Sequence, residues 1–287
     1  MPTHPDARPL SESLREYGRG IAGGLLFSFP LLYTMEVWWA GFIASPLQLM
    51  LVIGFTFVLL LGYNRYAGMH PEASWKDVLV DSVEELGLGF VLAFAMMLML
   101  RRIEFGAMSA IEIMGKVIIE AMVMSIGISI GTAQLGVQDS SESEEAKKTQ
   151  ELESKRQSGL VSLTVLGLCG SIVVGGNVAP TEEVLVIGLE AHPGHILAMA
   201  LVSIVLCALI LFYANSQDSN KKSSRVNFYT VAGQTCICYL IALGASALLL
   251  WFFGRLEDVS FWTGFSQCIA LSILSALGSS AGRLLIK

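Results

Sequence analysis

Carboxylates sit in this chain where hydrocarbon should exclude them. Glu182 and Glu183 follow Gly175-Gly176-Asn177-Val178-Ala179-Pro180-Thr181, inside an otherwise apolar run from about 160 to 189. Pro180 removes a backbone donor and crowds the preceding turn, so a helix must break or kink there. Gly175 and Gly176 add backbone freedom at the same point. In a bilayer, broken backbone is tolerated only where protein buries it or a wet cavity meets it. An acid at such a place is a functional-site hypothesis by default.

A second stretch repeats the first. TMEVWWAGFIASP (34–46) lies over TEEVLVIGLEAHP (181–193) without a gap, with six identities in thirteen positions. Thr34, Glu36, Val37, Gly41, Ala44 and Pro46 match Thr181, Glu183, Val184, Gly188, Ala191 and Pro193. Pro30 and Pro180 also precede Glu36 and Glu183, though by different distances. On straight helices both glutamates would lie ten residues before a turn. At ~1.5 Å per residue that is roughly 15 Å deep, near the bilayer midplane. Two close carboxylates without a counter-ion cannot both stay ionised in low dielectric, so they share a proton or hold a cation. Glu36 and Glu183 are therefore expected to form an ion site, supported by Glu182, Glu120 and Asn177. The alternative is a protonated pair bonded to backbone freed at the breaks. Pro30, Pro180, Gly175 and Gly176 would hold those breaks and release carbonyls as further ligands.

Other charges form two smaller sets. Glu112, Lys116 and Glu120 are spaced by four and share one helix stripe, which reads as a proton relay or as an ion-pair ladder. Asp77, Asp81, Glu84 and Glu85 open an apolar run. They read as a solvated helix start for the first two and as an acidic vestibule for Glu84 and Glu85. His192 and His195 flank a Pro-Gly turn that explains them without a metal. No HExxH, GxSxG, Walker loop or Cys/His cluster occurs, so no enzyme, cofactor or metal is expected. The five cysteines all lie in apolar runs and lack ligand or disulfide spacing.

The elements that must position these residues are membrane helices. The chain has 287 residues, 54% hydrophobic and 15% charged, with a mean hydropathy of +0.64. That composition is an all-α polytopic membrane protein. A net charge of −6 leaves no basic surface for nucleic acid. Apolar runs of roughly 20 residues suffice to cross a bilayer. Eight are expected, at about 20–44, 46–63, 80–100, 107–131, 159–190, 194–214, 228–253 and 261–285. The polar segment 1–18 has no signal-peptide core, so the first span should direct insertion. The polar linker 137–158 should separate two tandem four-helix repeats, 19–136 and 159–287. With four spans each, the repeats would be parallel, related by an axis along the membrane normal.

Orientation follows from lysine and arginine. If the eight spans hold, fourteen fall on the side of both termini, three on the other, and Lys116 lies within the membrane. That places both termini in the cytoplasm of a bacterial inner membrane. Partners expected are the lipid bilayer and a small cation or proton, with homo-oligomers allowed.

TMEVWW in the first span, together with GGNVAPTEE in the fifth, resembles an uncharacterised family of bacterial integral membrane proteins. The likeness spans nearly the whole chain and implies no activity. Gly176-Asn177 followed by Pro180 and Glu182 is also similar to the Gly-Asn and Pro-Glu signature of cation/calcium–proton exchangers. That likeness implies a cation site held by broken helices. The first half departs from it, with Phe29-Pro30 and a single Glu36. The function expected is cation transport, with cation/proton exchange as one form. The alternatives are a membrane scaffold, a stress or signalling protein working through its linker, a cation channel, and a lipid-acting enzyme.

Overall fold

The computed structural model describes residues 10–68, 74–134, 160–222 and 228–284. The expected linker 137–158 lies outside the described residues, as do residues 1–9. The first five helices are α1 (Leu10–Leu32), α2 (Met35–Ile43), α3 (Pro46–Ala67), α4 (Trp75–Met99) and α5 (Ala110–Gln134). The next five are α6 (Leu160–Gly175), α7 (Glu182–Glu190), α8 (Pro193–Lys222), α9 (Phe228–Phe252) and α10 (Phe261–Leu284). Among the described residues no strand forms.

Six of these helices are long and apolar enough to cross a membrane: α3, α4, α5, α8, α9 and α10. A seventh span is possible if α1 and α2 count as one, but they are bent by 86°. Eight spans are expected from hydropathy; six, or seven with the bent pair, are long and apolar enough among the described residues. Run 20–44 turns at Tyr33-Thr34, where the i→i−4 ladder gives way to three-residue bonds from Tyr33 N–H to Pro30 (3.3 Å) and from Thr34 N–H to Leu31 (3.0 Å). Run 159–190 is divided by Gly176 to Thr181 into α6, 16 residues long, and α7, nine residues long. Sixteen residues reach about 24 Å, short of the ~30 Å core. Helix begins at Leu10, inside segment 1–18.

Proline and side-chain caps fix the starts of α3 and α4. Pro46 opens α3 at a position that needs no donor. Ser45 and Gln48 close a reciprocal capping box there, at 2.8 and 3.3 Å. Asp77 does the same for α4 by accepting from Ser74 N–H at 2.9 Å. That is the ordinary helix-start role expected of it.

α5 is the central helix of the first group, with 89% of its most apolar window buried, against 22% for α4 and for α8. α1, α2, α3 and α4 all pack on α5, while α6, α7, α8 and α9 all pack on α10. Glycine permits the closest approaches. A β-carbon on Gly23 would stand 2.5 Å from the Gly127 carbonyl, and Gly170 and Gly278 would collide with each other's carbonyls in the same way. Gly41 abuts Lys116, and Gly188 abuts Gln267. Between the groups, α6 touches α1, α3 and α5. The reciprocal contacts of α1 with α8 and α10, which a closed two-fold would require, are not among the main helix contacts of the described residues.

Candidate functional site

The α6–α7 break is held by side chains. The chain leaves α6 through a bond from Gly176 N–H to Ile172 (2.8 Å), then one from Ala179 N–H to Gly175 (2.8 Å). Asn177 donates its amide to the Val173 carbonyl (2.5 Å) and to the Phe27 carbonyl of α1 (3.0 Å). The Arg255 guanidinium donates to the Pro180 carbonyl. At the α1–α2 bend, Thr34 Oγ1 donates to the Pro30 carbonyl (2.8 Å), and Trp38 Nε1 to the Leu32 carbonyl (3.2 Å). Arg102 covers the Trp38 ring at 4.1 Å, close enough for a cation–π contact. These carbonyls were expected to be released as ion ligands. Of these, the Val173, Phe27, Pro180, Pro30 and Leu32 carbonyls already accept a bond from a side chain.

The bend also removes the depth argument for Glu36. α2 is nine residues long, about 13 Å at ~1.5 Å per residue, yet at 86° it advances only about 1 Å along the axis of α1. Glu36 and Glu182 line one cavity of about 510 Å³, together with Arg255 and Glu257 from the loop after α9. That cavity lies at the end of the bundle where α2 and α7 sit. Glu183 is exposed and does not line it. The structure thus brings Glu36 together with Glu182 and not with Glu183. The one-sided contact between the two groups is the physical reason, since equal depth and facing positions follow only from a closed two-fold.

Glu120 lies elsewhere. It is 0% exposed, and neither carboxylate oxygen has a hydrogen-bond partner among the described residues. Its place on α5 adjoins the break. Gly176 abuts Val123, three residues along α5 from Glu120, and Asn177 holds Phe27 on α1. Asn177 Oδ1 and Ser28 Oγ, next to Phe27, are also buried without partners. Three neighbouring elements therefore each carry a buried, unpaired oxygen. Such groups are costly and rare in native structures. Lys116 is different, because it pairs with Glu112 at 3.1 Å. The ladder reading fits these two residues, and Glu120 takes no part in it.

A third set lies at the other end of the bundle. Glu84 and Glu85 line a cavity of about 50 Å³ with Glu16, Asp81, Asn64 and Ser129. Asn64 organises it, donating to Glu85 (2.7 Å) and Ser82 (3.1 Å) and accepting from Ser129 (2.8 Å). No group of three metal-ligating side chains stands close enough to hold an ion among the described residues. His192 stands in the turn before α8 and His195 in its first turn, where His195 Nδ1 accepts from His192 N–H at 3.3 Å.

Residues 16–286 match a protein family described as "Putative integral membrane protein (DUF2391)". The chain belongs to this family. It is an integral membrane protein, and its α-helices lie in contact with the lipid bilayer. No curated protein and no solved structure matches the chain. Membership brings no assigned activity, so the site stands on its geometry.

Sequence reasoning missed Glu16, Asn64, Ser129, Ser28 and Arg255. Glu16 fell within a segment read as lying before the membrane. Asn64 and Ser28 are single polar residues in apolar runs, a signal the sequence does carry. Arg255 was visible as a cation at the end of an apolar run. Its bond to Pro180, 75 positions away, has no local signature.

Proposed function

We propose that this protein moves protons, or a small cation in exchange for protons, through the first group of helices with Glu120 as the exchanging carboxylate. One observation carries the reading: a fully buried acid with no partner for either oxygen, one turn from a broken helix. A bilayer interior makes such a group expensive to keep. A carboxyl that alternately holds a proton and a cation gives the expense a use. Asn177 Oδ1 and Ser28 Oγ supply neutral oxygens on the adjoining elements, suited to a hard cation or a hydronium.

The acidic cavity around Glu85 serves as a mouth. Ser129, which lines it, is nine residues from Glu120 along α5, about 13 Å. Carboxylates lining a low-dielectric cleft raise the local cation concentration. The excess of Lys and Arg at that end supports a cytoplasmic mouth and cytoplasmic termini in a bacterial inner membrane. The matched packing of α1–α4 on α5 and of α6–α9 on α10 supports a tandem origin for the two groups. Gln267 replaces Lys116 against the equivalent glycine, so the second group lacks the ion pair. In this reading the first group conducts, and the second supplies the break, whose Gly176 lies against Val123, about one turn along α5 from Glu120. The protein is a carrier, not an enzyme. Proteoliposomes loaded with a pH dye test it: Glu120→Gln should abolish cation-driven proton movement, and unchanged movement would refute the assignment.

A further inference from the structure

The cavity shared by Glu36 and Glu182 does not stop at its polar walls. A second hollow of about 220 Å³ adjoins it, lined by Leu51, Val52 and Phe55 of α3 and by Leu248, Leu249 and Trp251 of α9. The two hollows share Gln48 and Phe252 as walls. They therefore lie side by side along the seam between the two helix groups. From Gln48 to Phe55 the apolar part follows α3 for seven residues, about 10 Å. The polar part sits at the end of the bundle, and the apolar part extends toward its middle. Their rims carry exposed apolar side chains, Met35, Trp39 and Ile43 on one and Leu51, Leu248 and Trp251 on the other. In a membrane protein those side chains face lipid, so the seam opens sideways into the bilayer.

We infer that this seam is a binding site for a zwitterionic phospholipid with an ammonium head, of the phosphatidylethanolamine class. The lining charges are Glu36, Glu182 and Glu257 against Arg255. Three carboxylates suit an ammonium, and a single guanidinium suits a phosphate. The cavity of about 510 Å³ is far larger than a bare cation needs and of a size that accepts an organic head group. Trp39 lines the head cavity and Trp251 the groove, at the level where aromatic residues favour the interface. An acyl chain in the groove would cover the exposed Leu51, Leu248 and Trp251 side chains, with the buried Val52 and Leu249 as its floor. The lipid would thus act as a wedge in a seam that protein contacts close on one side only. This inference does not rest on the role proposed for Glu120.

Native mass spectrometry of the full-length protein in a neutral maltoside detergent tests it. Phosphatidylethanolamine and phosphatidylglycerol of identical acyl chains are added at equal concentration. The site predicts at least tenfold tighter retention of phosphatidylethanolamine. The double variant Glu36→Gln/Glu182→Gln should reduce that preference to near unity. Leu51→Trp, at a groove-lining position that is 53% exposed, should weaken both lipids by blocking the chain without disturbing the core. Size-exclusion elution and helical circular dichroism identify any variant that fails to fold, and Leu51→Trp then stands as the independent check. Equal retention of the two lipids, a preference for phosphatidylglycerol, or folded variants that behave as wild type would overturn the assignment.

Discussion

Replacing Glu120 by methionine should make the protein more stable and inactive at once. Glu120 is fully buried, and both oxygens lack partners. Leaving a buried polar group unsatisfied costs about 1–3 kcal/mol, and more for a charged one. Methionine is similar in length, unbranched and adaptable in rotamer, so it fills the same space without that penalty. The gain is therefore about 1–3 kcal/mol, reduced where the side chain repacks imperfectly. Unfolding in mixed detergent micelles, followed by helical circular dichroism, gives the free-energy difference. Glutamine separates the two components, because it keeps the polar burden and removes the exchangeable proton. Glu120→Gln should lose transport with little stability change, and Glu120→Met should lose transport with a gain. A Glu120→Met variant destabilised by more than about 1 kcal/mol would show that the carboxyl makes a structural bond, and the reasoning from its unpaired oxygens would fail.

The helix seams and caps give further tests by the same unfolding measurement. Gly278→Ala places a β-carbon against the Gly170 carbonyl, and overpacking of this kind should cost about 1–3 kcal/mol; an unchanged midpoint would mean the seam is not close-packed. Asn177→Ala removes the donor to Val173 and Phe27 and should cost about 1–3 kcal/mol, since two partly buried carbonyls lose a partner. Glu112→Gln strands Lys116 in the interior and should cost about 3–5 kcal/mol. The double variant Glu112→Gln/Lys116→Met should recover most of that, and purely additive costs would argue against the ion pair.

Much of the fold was legible because hydropathy and punctuation are local. Apolar runs marked α3, α4, α5, α8, α9 and α10, and Pro46 with Ser45 marked the start of α3. Pro180 with Gly175 and Gly176 marked a break, and the structure places one there. The bend at Thr34 was harder to read. Pro30 stays inside α1, and the chain turns three residues later, so the proline announced a break without locating it. That displacement is what misplaced Glu36. Depth was counted along a straight helix, and an 86° bend converts depth into lateral reach. Glu182, and not Glu183, lines the cavity that Glu36 lines, for a non-local reason. Sequence likeness shows that two segments share a local fold, but it does not fix the operation relating them in space. Glu120 was legible through its stripe with Glu112 and Lys116. That Lys116 has a partner and Glu120 has none depends on packing, which periodicity does not encode.

The central claim is that Glu120, and not the repeated pair Glu36 and Glu183, exchanges the transported proton. Proton flux should be recorded in proteoliposomes under outward gradients of Na⁺, K⁺, Ca²⁺ and Mn²⁺, for wild type, Glu120→Gln and Glu36→Gln/Glu183→Gln in parallel. The account predicts a proton signal driven by at least one of these cations, absent in Glu120→Gln and retained in the paired variant. Flux that survives Glu120→Gln, or a folded wild type that passes nothing under any gradient, would contradict it.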